Sequence, residues 1–192
     1  MKSMRFLRNL IAVLLGMTLM MTVACNKEEE EVKETTISDN DFYMMVGYTM
    51  INCYTDIYNQ NLAGVATGGH NITTDGPMGG SVLITGTTTY DNTHGITTTD
   101  LVLAMNAVNY IYSHTNSNGR KWTANITLTG STTYTGSFSN TYTSVNHQAN
   151  NLQITGMVIF DGVTRSINGI GAVSINRSSK IAVNIFGHIV SW

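Results

Sequence analysis

The chain has 192 residues and a formal net charge of −2, with ten Lys and Arg against twelve Asp and Glu. Charged side chains make up 11% of the total, so no electrostatic footprint for DNA or RNA exists. Every glutamate lies between Glu28 and Glu34, and solubility beyond residue 37 must come from Thr, Ser and Asn.

The first 24 residues have the parts of a secretory signal peptide. Lys2, Arg5 and Arg8 precede an apolar run from Leu10 to Val23, shorter than the roughly 20 residues of a comfortable membrane span. The run closes on Thr22-Val23-Ala24-Cys25. This tetrapeptide resembles the lipobox of bacterial lipoproteins, with Thr22 where those proteins usually carry leucine. The resemblance implies acylation of Cys25, including palmitate, and a membrane partner reached through that anchor. Several acyl chains hold a protein firmly where one binds only marginally.

Residues 25–37 read as the lipidated cysteine followed by a disordered acidic tether, because Asn26-Lys27-Glu28-Glu29-Glu30-Glu31 cannot bury apolar surface. The same run resembles the surface-export signal of Bacteroidota lipoproteins. Asn26 after the cysteine implies, by the same likeness, that the protein leaves the inner membrane. The expected location is the outer membrane, at its periplasmic face or at the cell surface.

Residues 38–192 are about 155 in number, the usual size of one domain. Phe42, Met45, Val46, Met50, Cys53 and Ile57 recur at helical spacing and predict a helix over 39–61, capped by Ser38 or Asp39. Tyr43, Tyr54 and Tyr58 widen its apolar girth, so it must be buried against something large. The pattern then changes to alternation. From Trp122 to Phe138 the even positions are apolar, aromatic, Gly or Thr, and the odd ones are Thr, Asn or Ser. Similar runs at 81–90, 96–112, 151–160, 165–176 and 181–190 predict about six to eight strands in an antiparallel meander. Turn residues at 91–95, 116–119, 161–162 and 176–179 separate them.

Gly86, Gly130, Gly156, Gly169, Gly171 and Gly187 share the parity of their apolar neighbours, and Ile-Thr-Gly or Leu-Thr-Gly recurs at residues 84, 128 and 154. Glycine inside a strand marks a bend, a bulge or close approach of another backbone. The expected fold is mainly β (α+β): one N-terminal helix packed in a curled antiparallel sheet or half-open barrel. Strands near seventeen residues should be bent or bulged. This combination resembles envelope lipoproteins with half-open barrels, including the lipoprotein carriers of the periplasm. Gly79-Gly80-Ser81-Val82 with the Thr-Gly strands is similar to Gly/Thr-rich secreted domains.

Candidate chemistry is sparse. Metal sites pair their ligands at close spacing, whereas His70, His94, His114, His147 and His188 are far apart, four of them in predicted loops or turns. Cys53 sits on the apolar helix stripe, where a free cysteine behaves as a small hydrophobe. No glycine cluster leads from strand into helix, as nucleophile elbows and phosphate loops require. No catalytic residue, metal or cofactor is expected.

Two features point to binding. Threonine ladders at Thr85, Thr87 and Thr89, at Thr97 and Thr99, and at Thr123, Thr127, Thr129, Thr133 and Thr135 mark a polar face, solvated or open to a glycan or protein partner. Regular threonines also resemble ice-binding surfaces, although these strands should be curled. The Met and Tyr content of the helix would suit an apolar ligand held between helix and sheet.

The leading expectation is therefore a membrane-anchored, non-enzymatic binding or interaction module. The alternative is a carrier of a lipid or other apolar ligand, with an interior lined by Met45, Met50, Tyr54, Val82, Ile84, Ile126, Leu128, Ile154 and Val158. An enzyme would need Asp100, His188 or Arg165 to meet convergent polar neighbours. An uncovered sheet edge at Ser81 or at the C-terminal strand would permit dimerisation by strand pairing.

Overall fold

A computed structural model describes residues 36–65, 67–117 and 119–192. The predicted leader, Cys25 and the tether through residue 35 lie outside the described residues. Helix α1 spans Asp39–Asn61, as its spacing predicts. Ser38 Oγ accepts from the Asp41 amide at 3.1 Å and donates to Asp41 Oδ2 at 2.7 Å. Asp39 and Asp41 add negative charge at the positive end of the helix dipole. Ser38→Ala is expected to lower unfolding stability by about 1 kcal/mol. Urea denaturation checks this, and an unchanged midpoint would show that the cap contributes nothing.

Eight strands follow: β1 Gly68–Asp75, β2 Ser81–Asp91, β3 Ile96–Thr115, β4 Lys121–Phe138, β5 Thr143–Phe160, β6 Val163–Arg177, β7 Ile181–Ile185 and β8 His188–Ser191. They form one antiparallel sheet in chain order, which is not closed. The mainly β class with one helix in a curled sheet is thus observed. Three details differ from expectation. β1 reads in sequence as polar and glycine-rich, yet it pairs along the whole of Gly68–Asp75 with β2 and covers the Ser81 edge. β5 begins at Thr143 rather than at residue 151. The stretch 181–190 is a hairpin that turns at Phe186 and Gly187, both with positive φ.

The long strands bend by bulges. Met105 faces Gly130 and Val108 faces Leu128, so β3 carries one residue more than β4 at Asn106-Ala107. In the same way Ala149 faces Val173 and Leu152 faces Gly171, so β5 has its extra residue at Asn150-Asn151. A bulge reverses which parity faces the core. In β3 the inward residues are odd before it (Thr99, Leu101, Leu103, Met105) and even after it (Val108, Tyr110). This corrects the placing of Thr99 on the polar face: it is 1% exposed.

Closer kinks come from the Thr-Gly repeats. At Gly86 and Gly156 φ is +119° and +142°, and a Cβ would stand 2.1 Å from the carbonyl oxygen of Asp100 and of Asn125 on the adjacent strands. Only glycine lets the backbones approach so closely while the chain turns. The curled sheet meets α1 through β3 to β8. Two arginines of β6 fix the helix. Arg165 pairs with Asp39 at 2.6 Å and lies 4.2 Å over the Phe42 ring, and Arg177 donates to Thr55 Oγ1 at 3.2 Å. No helix among the described residues is long and apolar enough to cross a membrane.

Candidate functional site

Met45, Met50, Tyr54, Val82, Ile84, Ile126, Leu128, Ile154 and Val158 all pack into one hydrophobic core with Cys53. None of the nine is more than 2% exposed. They meet each other as the carrier expectation requires, but as a packed interior. Burial pushes the Cys53 thiol up to about 12, which leaves it neutral among its apolar neighbours.

Met45 also borders a cleft of about 320 Å³ at the rim of the half-barrel. Its remaining walls are Asp41, Met44 and Tyr48 from α1, His114, Asn116, Arg120 and Trp122 from the β3–β4 hairpin, Phe160 from the end of β5, and Trp192. Positions 41, 44, 45 and 48 fall on one stripe of a helix. Across the sheet His114 is register partner of Trp122, and Trp122 of Phe160, which sets three rings side by side on three strands.

The rings are in mutual contact. Tyr48 stacks on Trp192 at 4.7 Å between centroids, and Trp122 lies 6.4 Å from Tyr48 and 5.9 Å from His114. The Arg120 guanidinium covers Phe160 at 4.1 Å and its Nε pairs with Asp161 at 2.6 Å. Trp122 is buried, Tyr48, Phe160 and Trp192 are half-buried, and His114 and Arg120 are exposed. The cleft therefore has an aromatic floor and wall under a rim of hydrogen-bonding side chains.

A larger cleft of about 620 Å³ lies at the other end of α1, bordered by Tyr58, Leu62, Thr88 and Tyr90 among others. Its lining includes two tyrosines, Tyr58 and Tyr90, but no tryptophan and no charged group. On the outer face, a shallow opening of about 460 Å³ lies beside the β5 bulge, with Ser131, Thr133, Gln148, Asn150 and Asn151.

The histidines separate by environment. His94 is in a turn, as expected, and pairs with Asp91 at 2.6 Å, which holds that carboxyl below its usual range. His70 and His114 are in strands rather than loops, and His188 stacks on Tyr43 at 4.1 Å. His147 is in the core between Tyr54 and Tyr134, each ring 4.5 Å away. Neither of its nitrogens has a hydrogen-bond partner, and burial lowers its pKa from 6.5 to about 3. Among the described residues no group of three or more His, Cys, Asp or Glu could hold a metal ion. Arg165 is engaged by Asp39 and the Ile37 carbonyl, so it is held at the helix start.

Sequence reasoning missed most of the rim cleft. It treated Trp122 as a strand residue and gave no role to His114, Asn116, Arg120, Phe160 or Trp192. The available signal was the stripe 41, 44, 45 and 48 together with Trp122 opening a strand. Comparison of the chain with protein-family models, with curated proteins and with solved structures finds no match in any of the three. The fold and cleft define an open antiparallel half-barrel around a single helix, with an aromatic site at its rim.

Proposed function

We propose that this protein is an envelope lipoprotein, held at the outer membrane by acyl chains on Cys25, whose folded residues act as a non-enzymatic binding module. The observation that carries the binding role is the rim cleft: a concave aromatic surface under polar groups, beside a core that is otherwise packed. Small-molecule sites have this composition, a mostly apolar lining with a few polar groups that orient the ligand. The anchor rests on the order of basic start, apolar run, small residues and Cys25, followed by an acidic tether that would hold the module away from the bilayer.

Two measurements test the two parts. Metabolic labelling with an alkyne palmitate analogue should mark the wild-type chain, and Cys25→Ser should lose the label and leave the membrane fraction. Equal labelling of both would refute the anchor. Native mass spectra of the chain isolated from its own envelope should show a non-covalent adduct that disappears on denaturation and in Trp192→Ala. An adduct unaffected by Trp192→Ala would remove the cleft from the binding role.

A further inference from the structure

We propose that the ligand of the rim cleft is a short neutral saccharide, an inference that rests on the binding role just proposed. The argument begins with the shape of a pyranose ring, which has two C–H faces of slight positive potential and a rim of hydroxyls. Aromatic faces are negative and favour such C–H groups, while the ring edges leave room for hydrogen bonds. The cleft offers the complementary arrangement, with the half-buried, stacked Tyr48–Trp192 pair as the platform, the buried Trp122 as its backing, and Asp41, His114 and Asn116 around it. At about 320 Å³ it is at the small end of the roughly 300–1,000 Å³ of ligand sites, which suits a saccharide of few units.

The charges favour a neutral ligand. Arg120 is already paired with Asp161 at 2.6 Å and spread over Phe160, and the Asp41 carboxylate would face any incoming anion. An acyl chain fits the walls but not the rim. It would take Asp41, His114 and Asn116 out of water without replacing the hydrogen bonds they make to it, which is unfavourable for each polar group and most of all for the Asp41 carboxylate. A sugar hydroxyl both donates and accepts, and so can replace that water at all three.

The chain has two tryptophans, and both border the cleft, so its intrinsic fluorescence reports on this site. The full-length chain in lipid nanodiscs is titrated with maltohexaose, laminarihexaose and triacetylchitotriose, and separately with laurate. At least one oligosaccharide should shift the emission saturably, with laurate inert. Trp192→Ala should weaken that binding by about tenfold, the size of one lost aromatic contact, and Trp192→Phe should retain it. A cooperative melting transition of Trp192→Ala, followed by the emission of the remaining Trp122, shows that the variant is folded. Saturable binding of laurate without any saccharide would overturn the sugar assignment and leave the cleft as a binding site. Saccharide binding that is unchanged in Trp192→Ala would overturn the location. No response to any probe would overturn the saccharide inference, and the envelope adduct measurement then decides separately whether the cleft binds anything.

Discussion

Gly156→Ala is expected to destabilise the protein by at least about 3 kcal/mol, enough to lower its expression as a folded chain. At φ +142° an L side chain is strained in any surroundings, and here the new methyl would also stand 2.1 Å from the Asn125 carbonyl oxygen and 2.9 Å from the Ile126 Cα. Those atoms belong to the backbone of β4, so relief requires moving a central strand. Gly162→Ala is the control. It shares a positive φ of +81° in the β5–β6 turn but has nothing within 4 Å, so only the left-handed conformation is penalised, by about 1–2 kcal/mol. Urea unfolding of the two variants separates the terms. Equal losses would mean that the close approach of β4 and β5 is not what demands glycine.

Acid should weaken the fold through His147, the second large effect. The folded protein holds this imidazole neutral, with its pKa lowered from 6.5 to about 3, because protonation would place a charge among Tyr54, Tyr134 and the core without a partner. Nearby Arg177 pushes in the same direction. Above pH 6.5 the group is neutral in both states and the stability is fully present. As the pH falls from 6.5 towards 3 the unfolded chain takes up a proton that the folded chain refuses, and stability declines by up to about 1.4 kcal/mol per pH unit. The loss would reach about 4 kcal/mol by pH 3.5. His147→Phe keeps a ring between the two tyrosines and should remove most of that slope in thermal melts from pH 7 to pH 3.5. An equally steep slope in the variant would assign the acid sensitivity to other groups.

Much of the fold was legible because its signals are local and periodic. The stripe Phe42, Met45, Val46, Met50, Cys53 and Ile57 marked α1, and the seventeen alternating residues of β4 could hardly be anything but strand. The one-sided glycines of the Thr-Gly repeats pointed to the curl. Failures came where side-chain type and burial part company. β1 is mostly Gly, Thr and Asn, and only its pairing with β2 makes it a strand. The first half of β5 hides its inward face behind Val145, His147 and Ala149, two of which are small or polar in kind. Thr99 shares the odd parity of Leu101, Leu103 and Met105 and faces inward with them, although its residue type reads as polar, and the bulge at Asn106-Ala107 then reverses the parity for Val108 and Tyr110.

The rim cleft was hidden for a different reason. Its walls come from α1, one hairpin, the end of β5 and the residue after β8, which are neighbours only when the sheet has curled. The same curl fills the interior and places the residues once expected to line a cavity in close contact. At the edge of the half-barrel, by contrast, Tyr48 and Trp192 are only half-buried, beside the buried Trp122.

The most direct measurement is an NMR titration of residues 36–192, which form one compact unit, with triacetylchitotriose and with laurate, following the two indole N–H signals and the isoleucine methyls. The expected result is that the Trp122 and Trp192 indoles move with the saccharide while the methyls of Ile84, Ile126 and Ile154 stay in place. Movement of those core methyls with the indoles unchanged would put the ligand inside the half-barrel and contradict the rim site.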